Sequence, residues 1–310
     1  MMDPMRTILL TGAGGFIGRH VLRDAASRGS RDRWILTDLR APQAWWGLPG
    51  RTEFVAGDLA DRGFCRDLSA KGDITHVIHL AGWLGKGGSD EDRDILLRAN
   101  LLSTVNLLDA LREREAPHFL LPSTGLVYGD QQGPFHEAMP VLPRDDYAWS
   151  KHLAEQTLLT YARNGLARAC IVRPAVIYGP GQRGEMFIPS LVRSLREGKR
   201  FAMTAGEQKR DLLCVEDLAR ALLLLCESNL EGKFNAGTGR GVLLKEIARI
   251  GAGLLGRPEL LGLGDIPYRS QEVWDYALDP SRLQEATGWE PLVALEEGIR
   301  KTIEWENQAP

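Results

Sequence analysis

The sequence lacks several features that mark particular protein classes. Its 310 residues contain four cysteines, none in a C-x-x-C pair and none with a histidine at metal-binding spacing. We therefore expect reduced, mostly buried thiols in a cytoplasmic protein, and neither a disulfide framework nor a metal site. The formal net charge of −3 excludes the basic surface that nucleic-acid binding needs. The longest apolar stretches, such as residues 219–226, are far shorter than the ~20 residues of a membrane-spanning helix, and we expect no signal peptide.

Short apolar runs alternate with helical patterns along the chain. Strands are predicted at residues 7–10, 34–37, 53–56, 76–80, 118–122, 169–173, 213–215 and 234–236. Helices are predicted at residues 17–28, 95–115, 147–164, 188–197, 216–227, 243–255 and, with loops, 280–306. This alternation predicts βαβ units and an α/β fold with a doubly wound parallel sheet, which binds ligands beyond the carboxyl ends of its strands.

The pattern also predicts how the chain is divided. We expect a dinucleotide-binding domain over residues 1–174, to which residues 213–237 return. A smaller, interleaved C-terminal substrate-binding part is expected over residues 175–212 and 238–310.

A glycine-rich turn, with Gly12, Gly15 and Gly18, joins the first predicted strand to the first helix. Such a turn needs residues that tolerate positive φ, and it must let the backbone approach a ligand closely. The free N–H groups of the following helix, here near Phe16 and Ile17, favour an anion. The turn therefore predicts a site for the pyrophosphate of a dinucleotide.

The end of the second strand bears on which dinucleotide is bound. Asp38 follows Gly18 by 20 residues, where a carboxylate accepts hydrogen bonds from the adenosine ribose and repels a 2′-phosphate. Arg40 could instead pair with such a phosphate. Asp38 therefore favours NAD, and Arg40 leaves NADP as the alternative. Leu39, which lies between them, is also expected to contact the cofactor.

The next two predicted strands also end in residues suited to a dinucleotide. Asp58 and Leu59 could hold the adenine, and small residues let the cofactor cross the strand ends. The residues expected there are Leu80, Ala81 and Gly82.

Tyr147 and Lys151 are expected on one face of the helix at 147–164, because they are four residues apart. A lysine cation near a phenol should lower its pKa, so that Tyr147 can exchange a proton with an alcohol or ketone while hydride moves to or from nicotinamide. Ser123 and Thr124 follow the strand at 118–122, where a hydroxyl could bind the same substrate oxygen.

Together these motifs resemble those of the extended short-chain dehydrogenase/reductases, more narrowly the NAD-dependent epimerase/dehydratase branch that acts on nucleotide sugars. The resemblance covers nearly the whole chain. Its motifs are Thr11-Gly12-x-x-Gly15-x-x-Gly18, Asp58-Leu59, His79-Leu80-Ala81-Gly82, Ser123-Thr124-Gly125-Leu126-Val127-Tyr128-Gly129, Tyr147-x-x-x-Lys151, Arg173-Pro174, Arg210-Asp211, Val215-x-Asp217, Asn235-x-Gly237 and Gly288-Trp289-x-Pro291.

The resemblance implies a Rossmann sheet and further roles. Lys151 would hold the nicotinamide ribose and assist Tyr147, and Asn100 and Pro174 would lie near the cofactor. Arg210 would pair with the substrate diphosphate. It also implies a homodimer formed by the helices at 95–115 and 147–164, although burial within one subunit explains their apolar residues equally well.

Three positions depart from the family pattern. The 4,6-dehydratases usually carry Asp-Glu where this chain has Gly125 and Leu126, so we expect no dehydration. Many epimerases carry asparagine where Val176 stands, which weakens the expected grip on substrate phosphate. Residues 83–94 are unusual, and Lys86 with the following glycines suggests a flexible substrate loop.

The first expectation is an NAD-dependent nucleotide-sugar epimerase, acting at C4 through a transient keto sugar. The alternative is an NAD(P)H-dependent 4-ketoreductase of deoxysugars, favoured by Arg40 and Val176. A dehydrogenase of a non-sugar alcohol and a non-catalytic dinucleotide sensor are less favoured. A sensor has no need of Thr124, Tyr147 and Lys151.

Overall fold

The computed structural model describes residues 5–85, 89–270 and 272–308. The strands are β1 Thr7–Thr11, β2 Arg33–Asp38, β3 Arg51–Ala56, β4 His76–His79, β5 His118–Pro122, β6 Arg168–Pro174, β7 Val176–Tyr178, β8 Phe201–Met203, β9 Lys209–Arg210, β10 Leu212–Cys214, β11 Gly232–Ala236, β12 Val242–Leu243, β13 Leu261–Leu263 and β14 Asp275–Tyr276. The α-helices are α1 Phe16–Ser27, α2 Arg62–Ser69, α3 Asp90–Leu96, α4 Ser103–Leu111, α5 Asp146–Arg163, α6 Phe187–Arg196, α7 Val215–Glu227, α8 Leu244–Leu254, α9 Ser281–Thr287 and α10 Leu295–Gln308.

Seven strands form the main sheet in the order β11-β6-β5-β4-β1-β2-β3, and helices flank it. The pairings from β3 through β6 are parallel. The order reverses between β1 and β4, as in a doubly wound sheet, and places a ligand crevice beyond the carboxyl ends of these two strands. The predicted α/β fold is confirmed.

The chain forms two compact units. The first runs up to Gly129 and adds Pro140–Arg173 and Ala219–Phe234. The second consists of Asp130–Met139, Pro174–Leu218 and the chain from Asn235 onward.

Buried apolar strands form the core of the first unit. Leu9, Ile35, Val77 and Phe119 lie on four neighbouring strands and are essentially inaccessible to solvent. Strands covered on both faces read as continuous apolar runs, which is why the sequence predicts them well. None of the helices among the described residues is long and apolar enough to cross a membrane.

Two helical features differ from the sequence prediction. The short helix α2 was not predicted, although the side chain of Asp61 caps it by accepting hydrogen bonds from the backbone of Gly63 at 2.7 Å and Phe64 at 3.2 Å. The predicted helix 95–115 is three segments, with the π-helix Leu97–Leu102 between α3 and α4. At this junction Thr104 donates to the carbonyl of Asn100 at 2.7 Å, a hydroxyl contact that perturbs helices.

The second unit contains three small sheets and several helices. Its strands pair as β10-β7, β12-β9-β14 and β13-β8. One core packs Ile188 and Val192 of α6 against Ile247 of α8 and Ile299 of α10. Of these short strands only β10 was predicted, because two or three residues carry little periodicity.

A buried carboxylate explains two motifs of the second unit. Asp217 is 1% exposed, and its carboxylate accepts hydrogen bonds of 3.0 Å from the backbone of Leu292 and of Val293. The indole of Trp289 donates to the carbonyl of Asp217 at 3.0 Å. The motifs around Asp217 and Trp289 therefore hold the segment that precedes the last helix to Asp217 within this unit.

Candidate active site

The glycine turn is packed too tightly for side chains at two positions. Gly12 has φ +64°, and a Cβ there would lie 2.7 Å from the nitrogen of Ala81 and 2.8 Å from the carbonyl carbon of Leu80. A Cβ on Gly18 would lie 2.4 Å from the carbonyl oxygen of Gly12. Gly15 is the N-cap residue of α1, and no side chain caps the first turn, which begins at Phe16. The helix thus presents backbone N–H groups where an anion can bind.

Asp38 is partly buried beside this turn. One carboxylate oxygen accepts from the backbone of Gly14 at 3.0 Å, and the other accepts from Leu39 at 2.8 Å. A carboxylate has about four acceptor positions, so two remain for ribose hydroxyls. The side chains of Leu39 and Arg40 are exposed.

Asp58 is half-exposed at the end of the segment after β3. Its carboxylate accepts from Arg98 at 2.9 Å and from the backbone of Ala60 at 2.8 Å. Burial alone would raise the pKa of Asp58, but the hydrogen bond from Arg98 and that from Ala60 hold it below its usual value. The neighbouring Leu59 is buried. Sequence reasoning missed Arg98, which is remote in the chain.

A buried hydrogen-bond network orders the end of β4. The Thr11 hydroxyl accepts from the backbone of Ala81 at 3.0 Å and contacts Nδ1 of His79 at 2.8 Å. Nε2 of His79 lies 3.1 Å from the Thr104 hydroxyl, whose own proton goes to the Asn100 carbonyl. His79 therefore donates from Nε2 and accepts at Nδ1. Burial and then the charge of Lys151 lower its pKa to about 3, so the ring is neutral.

Asn100 fixes the chain that follows β4. Its amide accepts from the backbone N–H of Trp83 at 2.8 Å and donates to the carbonyl of the same residue at 2.9 Å. It also donates to the Ser150 hydroxyl at 2.9 Å, which donates to the Tyr147 carbonyl at 2.8 Å. A Cβ on Gly82 would lie 2.7 Å from the Asn100 oxygen. Asn100 thus ties the segment after β4 to the first turn of α5.

Tyr147 and Lys151 lie one turn apart at the start of α5, whose first turn is capped by Asp145 through a 2.7 Å hydrogen bond to the backbone of Ala148. Burial and then the Asp145 carboxylate raise the pKa of Tyr147 to about 12, while the Thr124 hydroxyl opposes this by hydrogen bonding. The expected lowering of this pKa by Lys151 was wrong for the protein alone, because burial and the Asp145 carboxylate both raise it and Lys151 is not among the groups that shift it.

Burial lowers the pKa of Lys151 to about 8, and the Glu155 carboxylate one turn further along α5 partly offsets this. Lys151 as a residue is 7% exposed, and its ammonium group makes no hydrogen bond or ion pair with a described residue. It is thus available to a ligand.

Thr124 and Ser123 lie directly after β5 and are both buried. The Thr124 hydroxyl accepts from the backbone of Leu126 at 3.2 Å and caps the 3₁₀ helix Gly125–Tyr128. Gly125 is buried and Leu126 is exposed, and neither has a side chain that can act as an acid or a base.

A fully buried ion pair supports α5 behind these residues. Arg173 donates to both oxygens of Glu155, at 3.0 and 2.7 Å, and both side chains are inaccessible to solvent. The guanidinium also stacks over Tyr128, with 4.9 Å to the ring centroid. Sequence reasoning missed Glu155, although its spacing of four from Lys151 was a usable signal.

The remaining predicted residues belong to the second unit or lie outside the residues that the structure describes. Pro174 ends β6, and Val176 begins β7 as a partly buried side chain. Arg210 is bound within its own unit by the Glu272 carboxylate and by the carbonyl of Val273 at 2.6 Å. Lys86 lies outside the described residues.

Known proteins share both the sequence and the fold. Residues 8–237 match the NAD dependent epimerase/dehydratase family. A putative UDP-glucose 4-epimerase of Methanocaldococcus jannaschii is 31% identical over 96% of this chain and 97% of its own. A dTDP-glucose 4,6-dehydratase of Neisseria meningitidis is also 31% identical, over 97% of this chain and 93% of its own.

A crystal structure of the Thermus thermophilus UDP-glucose 4-epimerase complex with NAD superimposes with a TM-score of 0.87, at 29% identity over 98% of this chain and all of that chain. The family description confirms the predicted resemblance and agrees with NAD as the cofactor. With residues 8–237 matched by the family model and the fold shared, the chain belongs to the NAD dependent epimerase/dehydratase family.

Proposed function

We propose that the protein is an NAD-dependent nucleotide-sugar epimerase that inverts C4 through a transient keto sugar. The observation that carries the proposal is a proton-transfer pair, Tyr147 with Thr124, without an acid–base pair beside it. A dehydratase must also move a proton from carbon and protonate a leaving hydroxyl, and Gly125 and Leu126 can do neither. This supports epimerisation, although dehydratases are among the relatives.

Side chains of the protein would accept and return the proton of the sugar hydroxyl. Tyr147 would take the proton as the alcohol is oxidised and return it after the keto sugar has turned over. Thr124 would hold the same oxygen, and Lys151 would bind the ribose and stabilise the phenolate. When bound, NAD supplies the acceptor and donor of hydride, and its positive charge would lower the raised pKa of Tyr147.

The cofactor would lie on the first unit. Gly12, Gly15 and Gly18 would hold the pyrophosphate through backbone N–H groups. Asp38 would accept from the ribose with its two remaining acceptor positions. We propose that Asn100 acts by positioning the segment after β4, since its amide is already engaged there.

The substrate would be held by the second unit. Arg210 is the proposed partner of a diphosphate, which would compete with Glu272 for the guanidinium. Val176 adds no hydrogen bond from its side chain. A homodimer through α4 and α5 remains a prediction, supported by the exposed Trp149 on α5.

A ketoreductase is the second candidate. The exposed Arg40 two residues after Asp38 favours it, because a guanidinium there can pair with the 2′-phosphate of NADPH. Such an enzyme consumes its cofactor, whereas an epimerase regenerates it in each turnover.

Release of the bound nucleotide tests the two candidates first. We would denature the purified protein, identify any dinucleotide by mass, and assay interconversion of UDP-glucose and UDP-galactose without added cofactor. Stoichiometric NAD and interconversion would support the epimerase. An empty protein that oxidises NADPH with a keto sugar, or a product that has lost water, would overturn it.

Matched variants test the assigned base. Tyr147→Phe should retain NAD but lose turnover by about 10²–10⁴-fold, the usual contribution of general acid–base catalysis. Tyr161→Phe on the same helix is the control, because its hydroxyl binds Asp109 instead and its loss should leave turnover unchanged.

A further inference from the structure

Three potential metal ligands meet at the edge of the main sheet opposite to the glycine turn. His76 begins β4, His118 begins β5, and Cys226 lies near the end of α7. All three are buried, and one donor atom of each lies within 4.8 Å of the others. Within residues 5–85, 89–270 and 272–308, no other group of histidines, cysteines or carboxylates is so arranged.

His118 presents a donor atom with no hydrogen-bond partner. Its Nε2–H donates to the carbonyl of Leu230 at 2.8 Å, so Nδ1 carries a lone pair. Among the described residues, nothing binds this Nδ1, although the side chain is fully buried. Buried polar atoms are nearly always satisfied, so an orphaned acceptor indicates a missing partner. A histidine fixed through one nitrogen and free at the other is the usual arrangement of a metal ligand.

His76 is oriented in a compatible way. Its Nδ1 lies 2.8 Å from the Thr75 hydroxyl and its Nε2 lies 2.9 Å from the Asn229 amide oxygen. The Thr75 hydroxyl is also 3.3 Å from the Thr7 carbonyl. In this arrangement Nε2–H donates to the Asn229 oxygen. On metal binding the proton would move to Nδ1, which would then donate to the Thr75 hydroxyl, and the Nε2 lone pair would bind the ion. Asn229 keeps a second donor in Arg168, at 3.1 Å.

The charges around the cluster do not exclude a cation. Arg6 and Arg168 line the adjoining surface cavity of about 790 Å³, together with His76, Asn229 and Glu227. Arg6 is already paired with both oxygens of Asp32, at 3.1 and 2.9 Å. A cation would be offset by the Cys226 thiolate formed when it binds.

We propose that His76, His118 and Cys226 form a structural site for a zinc-like divalent ion. Two imidazoles and a thiolate suit zinc, whereas a site for magnesium or calcium would need several oxygens. Water from the cavity or the Asn229 oxygen would complete four ligands. The ion would join the starts of β4 and β5 to α7, far from the strand ends where Tyr147 acts.

Cobalt substitution tests the site independently of enzymatic activity. The 310-residue protein would be freed of metal with a chelator and titrated with Co²⁺, whose thiolate charge-transfer band reports a sulfur ligand. We expect saturation at one equivalent, displacement by Zn²⁺, and a higher unfolding temperature with Zn²⁺. No charge-transfer band from the wild-type protein would overturn the proposal.

Matched cysteine variants assign the ligand. Cys226→Ala should abolish the band, whereas Cys65→Ala, which removes a buried thiol from α2, should leave it unchanged. A second, independent variant is His118→Gln, which should weaken cobalt binding at least tenfold. Equal cobalt spectra for Cys226→Ala and the wild type would refute the assignment. Circular dichroism and bound nucleotide show that each variant is folded.

Discussion

The buried ion pair of Glu155 and Arg173 should be a large single contribution to the stability of the first unit. Glu155→Gln preserves the shape of the side chain but removes its charge. The Arg173 guanidinium would then remain inaccessible to solvent, with Tyr128 as its neighbour and no counter-charge. A buried cation without a partner is costly because it has lost its hydration.

The structure sets the expected magnitude. Burial alone would raise the pKa of Glu155, but His152 and the hydrogen bonds and charge of Arg173 lower it from 4.5 to about 2. At about 1.4 kcal/mol per pH unit, this corresponds to roughly 3 kcal/mol of stabilisation of the charged form. Removal of one partner from a buried pair usually costs about 3–5 kcal/mol, so we expect a loss of about 3 kcal/mol.

Urea unfolding at pH 7 measures this loss. The pair's contribution is fully present above pH 4.5 and is lost as the pH falls toward 2, so the wild type and Glu155→Gln should converge in acid. Replacing both partners with apolar residues, as in Glu155→Leu with Arg173→Met, should recover most of the stability. Asp265→Asn removes an exposed pair with Arg200 and should have no measurable effect. A loss below about 1 kcal/mol for Glu155→Gln would refute the reasoning.

Three further predictions concern the turn, the lysine and the second unit. Gly12→Ala should leave the protein without dinucleotide, because the added Cβ would clash with the backbone after β4. Gly29→Ala is the control for backbone strain, because Gly29 also has positive φ but open space around it. The nucleotide content of each variant, measured by mass, should fall only for Gly12→Ala. Turnover should fall as the pH rises through about 8, where Lys151 loses its charge, and Lys151→Arg should move that limb upward in a pH–rate profile; an unmoved limb would assign it to another group. Asp217→Ala leaves two backbone N–H groups unpaired and should cost about 2–4 kcal/mol in urea unfolding, whereas no loss would mean that water replaces the carboxylate.

The sequence by itself determined the features that depend on local chain chemistry. The turn at Gly12 requires positive φ and no side chain, and both requirements are visible in the residue types. Fully buried strands appear as apolar runs, and the spacing of Tyr147 and Lys151 places them on one helical face. These signals were sufficient for the fold and the family.

Only the tertiary structure decided what depends on residues far apart in the chain. The pKa of Tyr147 rises because folding removes the phenol from water and places it near the Asp145 carboxylate. Glu155 finds Arg173 on the neighbouring strand, and His76, His118 and Cys226 meet because β4, β5 and α7 share one edge. No local pattern encodes such meetings, since the energy of burying a polar group depends on what the rest of the chain places around it.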